Sequence, residues 1–247
     1  PSRDGGRLSS VVDVNTKAGD FNEYHGSFSI GLIDGRISYG GPIVRNKTSF
    51  NVSLRRSWLD VVTVPAFGIM NIKNRKDGYK TWFAYSLWDF NGSIMHKFSE
   101  DNTLRLNLYN GQDRMRISEK SLPGKDNPST DISSVKVNWG NSLASLDWNW
   151  RLSGQIRMRS VLYYTRYNGK MANGYENHTD DTANFNGSKE ESGNLSRVND
   201  VGLKSDFSWS PAKRHLIRFG ASAQSHFYKA DRYAEYDKFV AGKEVPD

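Results

Sequence analysis

The sequence contains no cysteine and no long apolar run. Without cysteine, the chain can form neither a disulfide framework nor a thiolate metal site. No apolar stretch approaches the roughly 20 residues that a membrane helix needs, and the mean hydropathy is -0.69. These absences exclude a helical membrane protein. They leave a transmembrane β-barrel open, because only every second residue of a barrel strand faces lipid.

The positive charge of the chain is scattered. The formal net charge is +7 and the pI is about 9.4, which raises the question of a nucleic-acid partner. The basic residues follow the strands described below and form neither a block nor one helix face. No zinc-finger spacing or RNA-binding aromatic motif accompanies them. We therefore expect no nucleic-acid partner.

Apolar and polar residues alternate along most of the chain. A β-strand directs successive side chains to opposite faces, so a period of two indicates strands whose two faces meet different environments. Several of these runs exceed the roughly five or six residues usual in soluble strands. The pattern predicts an all-β protein with about nine antiparallel strands, at about 22–33, 36–44, 48–59, 81–98, 104–109, 135–150, 156–164, 201–209 and 217–227.

The connections between the predicted strands alternate in length. From the second strand onward, tight turns alternate with longer segments, which include a connection up to about residue 79 and polar loops at 118–131 and 168–197. Outer-membrane barrels show this asymmetry, with short periplasmic turns and longer extracellular loops. Within the sixth strand the apolar parity changes, so we predict a β-bulge between Gly140 and Ser145.

The two parities assign strand residues to two faces. An Arg or Lys on a lipid face near the bilayer midplane costs about 2–4 kcal/mol, so the polar parity is expected to face the lumen. The predicted lumen-facing residues are Asn51, Arg55, Arg105, Asn107, Lys136, Arg157, Lys204 and Arg218. Aromatic residues near strand ends are expected to form the two membrane girdles. These residues are Trp82, Trp148, Trp150, Tyr163, Tyr164, Trp209 and Phe227.

Five motifs occur in order near the start of the chain. They are GGRLSSVVDVNTK at 5–17, HGS at 25–27, GPIV at 41–44, KTSF at 47–50 and RR at 55–56. This ordered set resembles the end of the plug domain and the first barrel strands of TonB-dependent outer-membrane receptors from Bacteroidota, of the non-SusC type. Beyond these motifs the similarity is one of strand rhythm.

The resemblance implies both a fold and a function. The fold is an antiparallel transmembrane β-barrel of about 22 strands, of which this chain supplies about nine. Residues 1–20 are the C-terminal end of the plug domain, with its last strand at about 7–16, and 21–247 are the N-terminal part of the barrel. The function is import of a scarce ligand across the outer membrane of a Gram-negative bacterium, with energy relayed by TonB. The implied partners are outer-membrane lipid and lipopolysaccharide, TonB through a region outside this chain, the imported ligand and other outer-membrane proteins. Nine strands cannot close such a barrel, so we expect the chain to be part of a larger protein.

No catalytic or cofactor-binding pattern is visible in the sequence. The histidines lack metal-ligand spacing, and neither a nucleophile elbow nor a phosphate-binding glycine loop occurs. We therefore expect no enzyme activity and no cofactor. Asp180, Asp181 and Glu190 are weak candidates for a metal site, because they are oxygen donors in a predicted polar loop. Their spacing does not match an EF-hand, and a solvated loop is the favoured interpretation.

Two other functions remain open. A receptor-like barrel can serve as a structural or interaction subunit that scaffolds other outer-membrane proteins through its wall and loops. A soluble β-rich binding domain is the third possibility. Internal blade-like repeats would favour that domain, and the sequence contains none.

Overall fold

The computed structural model describes residues 17–124, 128–179, 186–240 and 243–245. These residues form one antiparallel sheet of ten strands, in which each strand pairs with its neighbours in the sequence. The prediction of an all-β chain is confirmed, and a three-residue tenth strand adds to the nine that were predicted. The strands are β1 (His25–Ile30), β2 (Asp34–Val44), β3 (Thr48–Ser57), β4 (Tyr79–Ser99), β5 (Asn102–Ser121), β6 (Ser129–Arg151), β7 (Ile156–Thr179), β8 (Asn186–Ala212), β9 (His215–Val240) and β10 (Lys243–Val245).

Strands β5 to β9 extend well beyond their predicted ends. β7, β8 and β9 contain 24, 27 and 26 residues, which at a rise of about 3.3 Å per residue makes them roughly 80–90 Å long. Residues 118–121, 129–131, 168–179 and 186–197 are strand, so the polar loops predicted at 118–131 and 168–197 were too long. Residues 122–124 and Pro128 lie outside strands, and 125–127 and 180–185 lie outside the described residues. Both faces carry polar side chains in much of these segments, so the apolar alternation that marks a strand is weak although the backbone pairing continues.

Strand β6 contains no bulge where one was predicted. Its register with β5 and with β7 continues without a shift through Gly140 and Ser145. Register shifts occur in three other places, which are close to tight turns. They lie between Pro42 and Val44, between Lys97 and Ser99, and between Trp209 and Ala212.

The connection between β3 and β4 contains a helix that the sequence pattern did not predict. This helix, α1 (Leu59–Asn74), includes Pro65 and is followed by a 3-10 turn. Beyond the pair Arg56↔Trp88 the edge of β4 no longer has β3 beside it. Helix α1 packs along this edge, with the ring of Phe67 centred 6.3 Å from that of Phe83.

The side chain of Asn71 replaces a missing strand at this edge. Asn71 is 5% exposed. Its Nδ2 donates to the carbonyl oxygen of Thr81 at 2.9 Å, and its Oδ1 accepts from the N–H of Thr81 at 2.9 Å. A paired residue of an adjacent strand makes the same two bonds. Ser57 acts similarly, because its Oγ accepts from the N–H of Leu87 at 2.9 Å. The two side chains satisfy backbone groups that an unpaired edge leaves open.

Candidate functional site

Residues that are paired across neighbouring strands lie on the same face of a sheet, so the register assigns each strand residue to one of two faces. One row of paired residues crosses β5 to β8 through Leu106, Leu146, Leu162 and Leu203. The face that carries this row is termed the band face, and the other is termed the opposite face.

The apolar residues of the band face are uncovered. Leu162 and Leu203 are 47% and 49% exposed, and among the described residues Ala172 is the only buried hydrophobic residue. A soluble sheet covers such a face with a second layer, and the described part of the chain supplies none. These residues form a continuous group, termed the apolar band, which includes Ile37, Val52, Leu54, Phe90, Ile94, Leu104, Leu106, Leu108, Leu146, Leu162, Leu203, Phe207 and Phe219.

The apolar residues change face along the long strands. On β6, Leu146 lies on the band face, whereas Val135 and Val137 lie on the opposite face. There they pair with Ile117 and Met115 of β5. Because the register is continuous, no residue is inserted where the apolar parity changes in the sequence. The parity changes because the apolar side chains move from one face of the sheet to the other. The half of the sheet near the tight turns is therefore apolar on the band face, and the half farther from these turns is more apolar on the opposite face.

Seven of the eight residues predicted to face a lumen lie together on the opposite face. The exception is Lys136, which pairs with Arg116 and Ala172 on the band face. The assignment of Lys136 to the same face as Arg105 is therefore wrong, because it assumed the bulge that β6 lacks. The seven residues on the opposite face are Asn51, Arg55, Arg105, Asn107, Arg157, Lys204 and Arg218.

Arg55 is the centre of an ion-pair network on the opposite face. Its Nε lies 2.8 Å from Oδ2 of Asp34, and its Nη1 lies 3.8 Å from Oδ2 of Asp89. The hydroxyl of Tyr109 donates to Asp89 at 3.0 Å, and that of Tyr85 donates to a neighbouring aspartate, Asp113, at 2.5 Å. The carboxylates are thus engaged by a cation or a phenol, and no nucleophile with an adjacent base is present among them.

The segment before β1 lies against the opposite face. The carbonyl oxygen of Lys17 accepts hydrogen bonds from Nδ2 of Asn51 at 3.2 Å and from Oγ of Ser93 at 3.3 Å. Gly19 follows, and a Cβ at this position would overlap with the backbone of Phe50. Residues 1–16, which include the rest of the predicted plug end, lie outside the described residues. The chain therefore reaches β1 from the face that carries Arg55 and Arg105.

The contacts of Phe21 carry the chain from this face towards β1. Its carbonyl oxygen accepts from the N–H of Asn46 at 3.0 Å, in the tight turn between β2 and β3. The ammonium of Lys97 lies 4.3 Å from the centre of the Phe21 ring, which is within the range of a cation–π contact. The segment thus passes the sheet at the end of the tight turns.

Six of the seven predicted girdle aromatics lie on the band face. Trp148 stacks on Trp150 with ring centres 5.4 Å apart. Tyr163 differs, because it lies on the opposite face and pairs with Gly202, above which its ring packs. The other four aromatics on the band face are Trp82, Tyr164, Trp209 and Phe227.

A cluster around Glu191 lies on the band face beyond the apolar band, and no pattern in the sequence predicts it. Lys136 Nζ lies 2.7 Å from Oε2 of Glu191, and Lys170 Nζ lies 3.8 Å from Oε1. The hydroxyl of Tyr233 donates to Oε1 at 3.0 Å. These contacts, that of Lys136 first, hold the pKa of Glu191 below its ordinary value. The correct parity of Lys136 would have pointed to this face, but its partners come from distant strands.

The described residues contain no group of three or more His, Asp or Glu side chains arranged to hold a metal ion. Of the weak metal candidates, Glu190 lies in β8, and Asp180 and Asp181 lie outside the described residues. No helix in the described part of the chain is long and apolar enough to cross a membrane. Comparisons of the chain with protein-family models, curated proteins and solved structures found no match.

Proposed function

We propose that this chain is part of a TonB-dependent transporter in the outer membrane of a Gram-negative bacterium. In this proposal the band face meets lipid, the opposite face lines the interior of a β-barrel, and the complete protein imports a scarce ligand. The proposal combines the sequence resemblance with the two faces of the sheet.

The uncovered apolar band is the observation that carries the proposal. A tilted strand crosses a bilayer with about 9–11 residues. The band spans 156–164 on β7, 201–209 on β8 and 217–225 on β9, which matches that length. Beyond it the same face becomes charged, as expected for strands that leave the bilayer. A soluble β-rich domain is disfavoured, because the described residues provide no second layer to cover the band.

The position of the segment 17–20 supports the presence of a plug. A plug that fills a barrel must join the first strand from the interior face. Lys17 is hydrogen-bonded to Asn51 and Ser93 on the opposite face, which is the interior in this proposal. A barrel that only scaffolds other proteins does not require this connection, although it is compatible with one.

Cysteine labelling tests the orientation of the wall. This chain contains no cysteine, so a substituted cysteine is the only thiol in this part of the protein, and labelling of the unsubstituted protein gives the background. In the intact protein in native membranes, Leu162→Cys should react with a membrane-permeant maleimide and resist a water-soluble one. The adjacent Val161→Cys, on the opposite face, is the matched control. It should react with the water-soluble reagent at least as fast as Leu162→Cys. Rapid labelling of Leu162→Cys by the water-soluble reagent would refute the membrane position.

Nutrient depletion separates an importer from a structural subunit. Medium components would be quantified by mass spectrometry after growth of the wild type, a deletion of this protein and a deletion of TonB. An importer predicts that at least one component remains unused in both deletions. If deletion of this protein leaves every uptake rate unchanged but disperses other outer-membrane proteins, the structural function is correct.

A further inference from the structure

The rows of residues beyond the apolar band are strongly basic on the band face. Four successive rows of paired residues across β5 to β9 contain seven basic side chains and one acidic one, Asp231. The seven are termed the basic belt and are Arg114, Arg116, Lys136, Arg166, Lys170, Arg197 and Lys229.

The basic belt places like charges directly opposite one another. Arg116 pairs with Lys136 across β5 and β6, and Arg197 pairs with Lys229 across β8 and β9. Like charges in directly opposed positions destabilise a sheet. A bound anion between them would replace this repulsion with attraction.

The acidic side chains nearby neutralise only part of the basic belt. Glu191 lies within ion-pair distance of Lys136 and Lys170, and Asp231 lies 3.1 Å from Lys229. The four arginines have no carboxylate partner among the described residues. Three of them donate to neutral amide oxygens, Arg114 to Gln112 and both Arg166 and Arg197 to Asn168. Arg114 and Arg116 are also exposed, so their guanidinium groups are accessible to a ligand.

We propose that the basic belt binds the phosphate groups of lipids in the leaflet farther from the tight turns. The inference rests on the proposed membrane position of the apolar band. The belt adjoins the band on one face, so a molecule with acyl chains and an anionic headgroup contacts both at once. Guanidinium groups bind phosphate with two parallel hydrogen bonds, and basic clusters beside an apolar surface are typical of anionic headgroup sites.

Lipid binding to the intact protein tests this inference. The probe is lipid A carrying two phosphates, bound to the protein in neutral detergent and measured by native mass spectrometry. The comparison ligands are dephosphorylated lipid A and inorganic phosphate alone. The phosphorylated lipid should bind most tightly, and its affinity should fall as salt is raised.

Two sets of variants assign the binding to the belt. Arg114→Gln with Arg116→Gln should lower the affinity for phosphorylated lipid A about 30-fold, since each basic residue near a membrane contributes about one factor of five. Arg157→Gln with Arg218→Gln removes the same charge from the opposite face and should change the affinity less than about twofold. Glu191→Gln releases Lys136 and Lys170 and should raise the affinity about fivefold. This gain also tests the inference if the double variant fails to fold.

Three results would overturn the inference. The first is an equal loss of lipid affinity in the belt variant and in the control variant. The second is equal binding of phosphorylated and dephosphorylated lipid A. The third is binding of inorganic phosphate as tight as that of the phosphorylated lipid. Its failure can be distinguished from failure of the proposed function. If Leu162→Cys resists the water-soluble reagent but the belt variants bind lipid normally, the membrane position stands and only the belt assignment is wrong.

Discussion

Replacement of Leu146 by arginine is the most direct energetic test of the membrane position of the apolar band. Leu146 lies in the row between Leu106 and Leu162 and is 39% exposed in the sheet. If this face meets lipid, a guanidinium near the midplane costs about 2–4 kcal/mol. Because 1.4 kcal/mol corresponds to a factor of ten, the equilibrium constant for folding should fall about 30- to 700-fold.

The adjacent Ser145 provides the matched control, because it lies on the opposite face at nearly the same height. Its hydroxyl accepts a hydrogen bond from Asn107 at 3.2 Å, and loss of such a bond costs about 0.5–1.5 kcal/mol. Ser145→Arg should therefore cost less than Leu146→Arg. Both would be measured by reversible urea unfolding of the intact protein in phospholipid vesicles.

The two possible environments predict clearly different results. A substitution at a hydrated surface changes stability by less than about 0.5 kcal/mol. If Leu146→Arg falls within that range, or costs less than Ser145→Arg, the band face does not meet lipid. That result would also remove the basis for placing phosphate-bearing lipids at the basic belt.

Three further predictions concern contacts within the sheet. Asn71→Leu should destabilise the protein by about 1–3 kcal/mol, because it leaves the backbone groups of Thr81 without partners, and amide hydrogen exchange at Thr81 should accelerate. Gly35→Ala should cost about 1–3 kcal/mol in urea unfolding, because the new methyl group would overlap with the ring of Trp58. The contribution of the Glu191 ion pairs to the free energy of unfolding should be complete above the ordinary pKa of 4.5. It should be lost as the pH falls through the lowered pKa of Glu191 in the folded state. The measurement is the difference in stability between the wild type and Glu191→Gln as a function of pH.

Each of these predictions has a control or a contrary outcome. Gly26→Ala should be tolerated, because its Cβ would meet the Tyr39 ring at an ordinary distance of 3.5 Å. Lys73→Leu, at an exposed position of α1, should leave hydrogen exchange in β4 unchanged. A stability difference between the wild type and Glu191→Gln that does not shrink below pH 4.5 would contradict the role of that carboxylate.

The strands near the tight turns could be predicted because their two faces differ chemically. On β5, Leu104 and Leu106 alternate with Arg105 and Asn107, and the alternation follows directly from the pleat. The outer parts of the hairpins could not be predicted in this way. In 168–179 polar residues occur on both faces, so backbone pairing rather than side-chain contrast defines the strand.

Helix α1 was missed for a related reason. Pro65 and three β-branched valines disfavour a helix locally, yet the helix forms beside the open edge of β4. Asn71 contributes there through two hydrogen bonds to Thr81. A tertiary contact of this kind outweighs the low local helix propensity, and the periodicity of the sequence cannot reveal such a contact.

The sequence predicts the correct face for residues in strands where apolar and polar residues alternate without interruption. It predicts the wrong face where the parity of the apolar residues changes. Arg105 and Arg157 are on the same face, as predicted, because each alternates with apolar neighbours in its own strand. Lys136 and Tyr163 do not lie on the faces predicted for them. The parity of Lys136 was read through an assumed bulge, and Tyr163 is adjacent to Tyr164, so composition alone does not distinguish their faces.

If the band face meets lipid, as proposed, the thickness of a bilayer fits an uninterrupted β6 better than it fits a β6 with a bulge. With a bulge, Val135 and Trp150 would lie on one face, and the apolar surface between them would span about 50 Å at a rise of 3.3 Å per residue. A tilt of about 45° reduces this to roughly 35 Å, which still exceeds a hydrocarbon core of about 30 Å. Without a bulge, the band on β6 ends near Ala144, and Lys136 lies beyond it in the basic belt. The continuous register therefore keeps the apolar surface within the thickness of a bilayer and places the first charges of that face where its headgroups would lie.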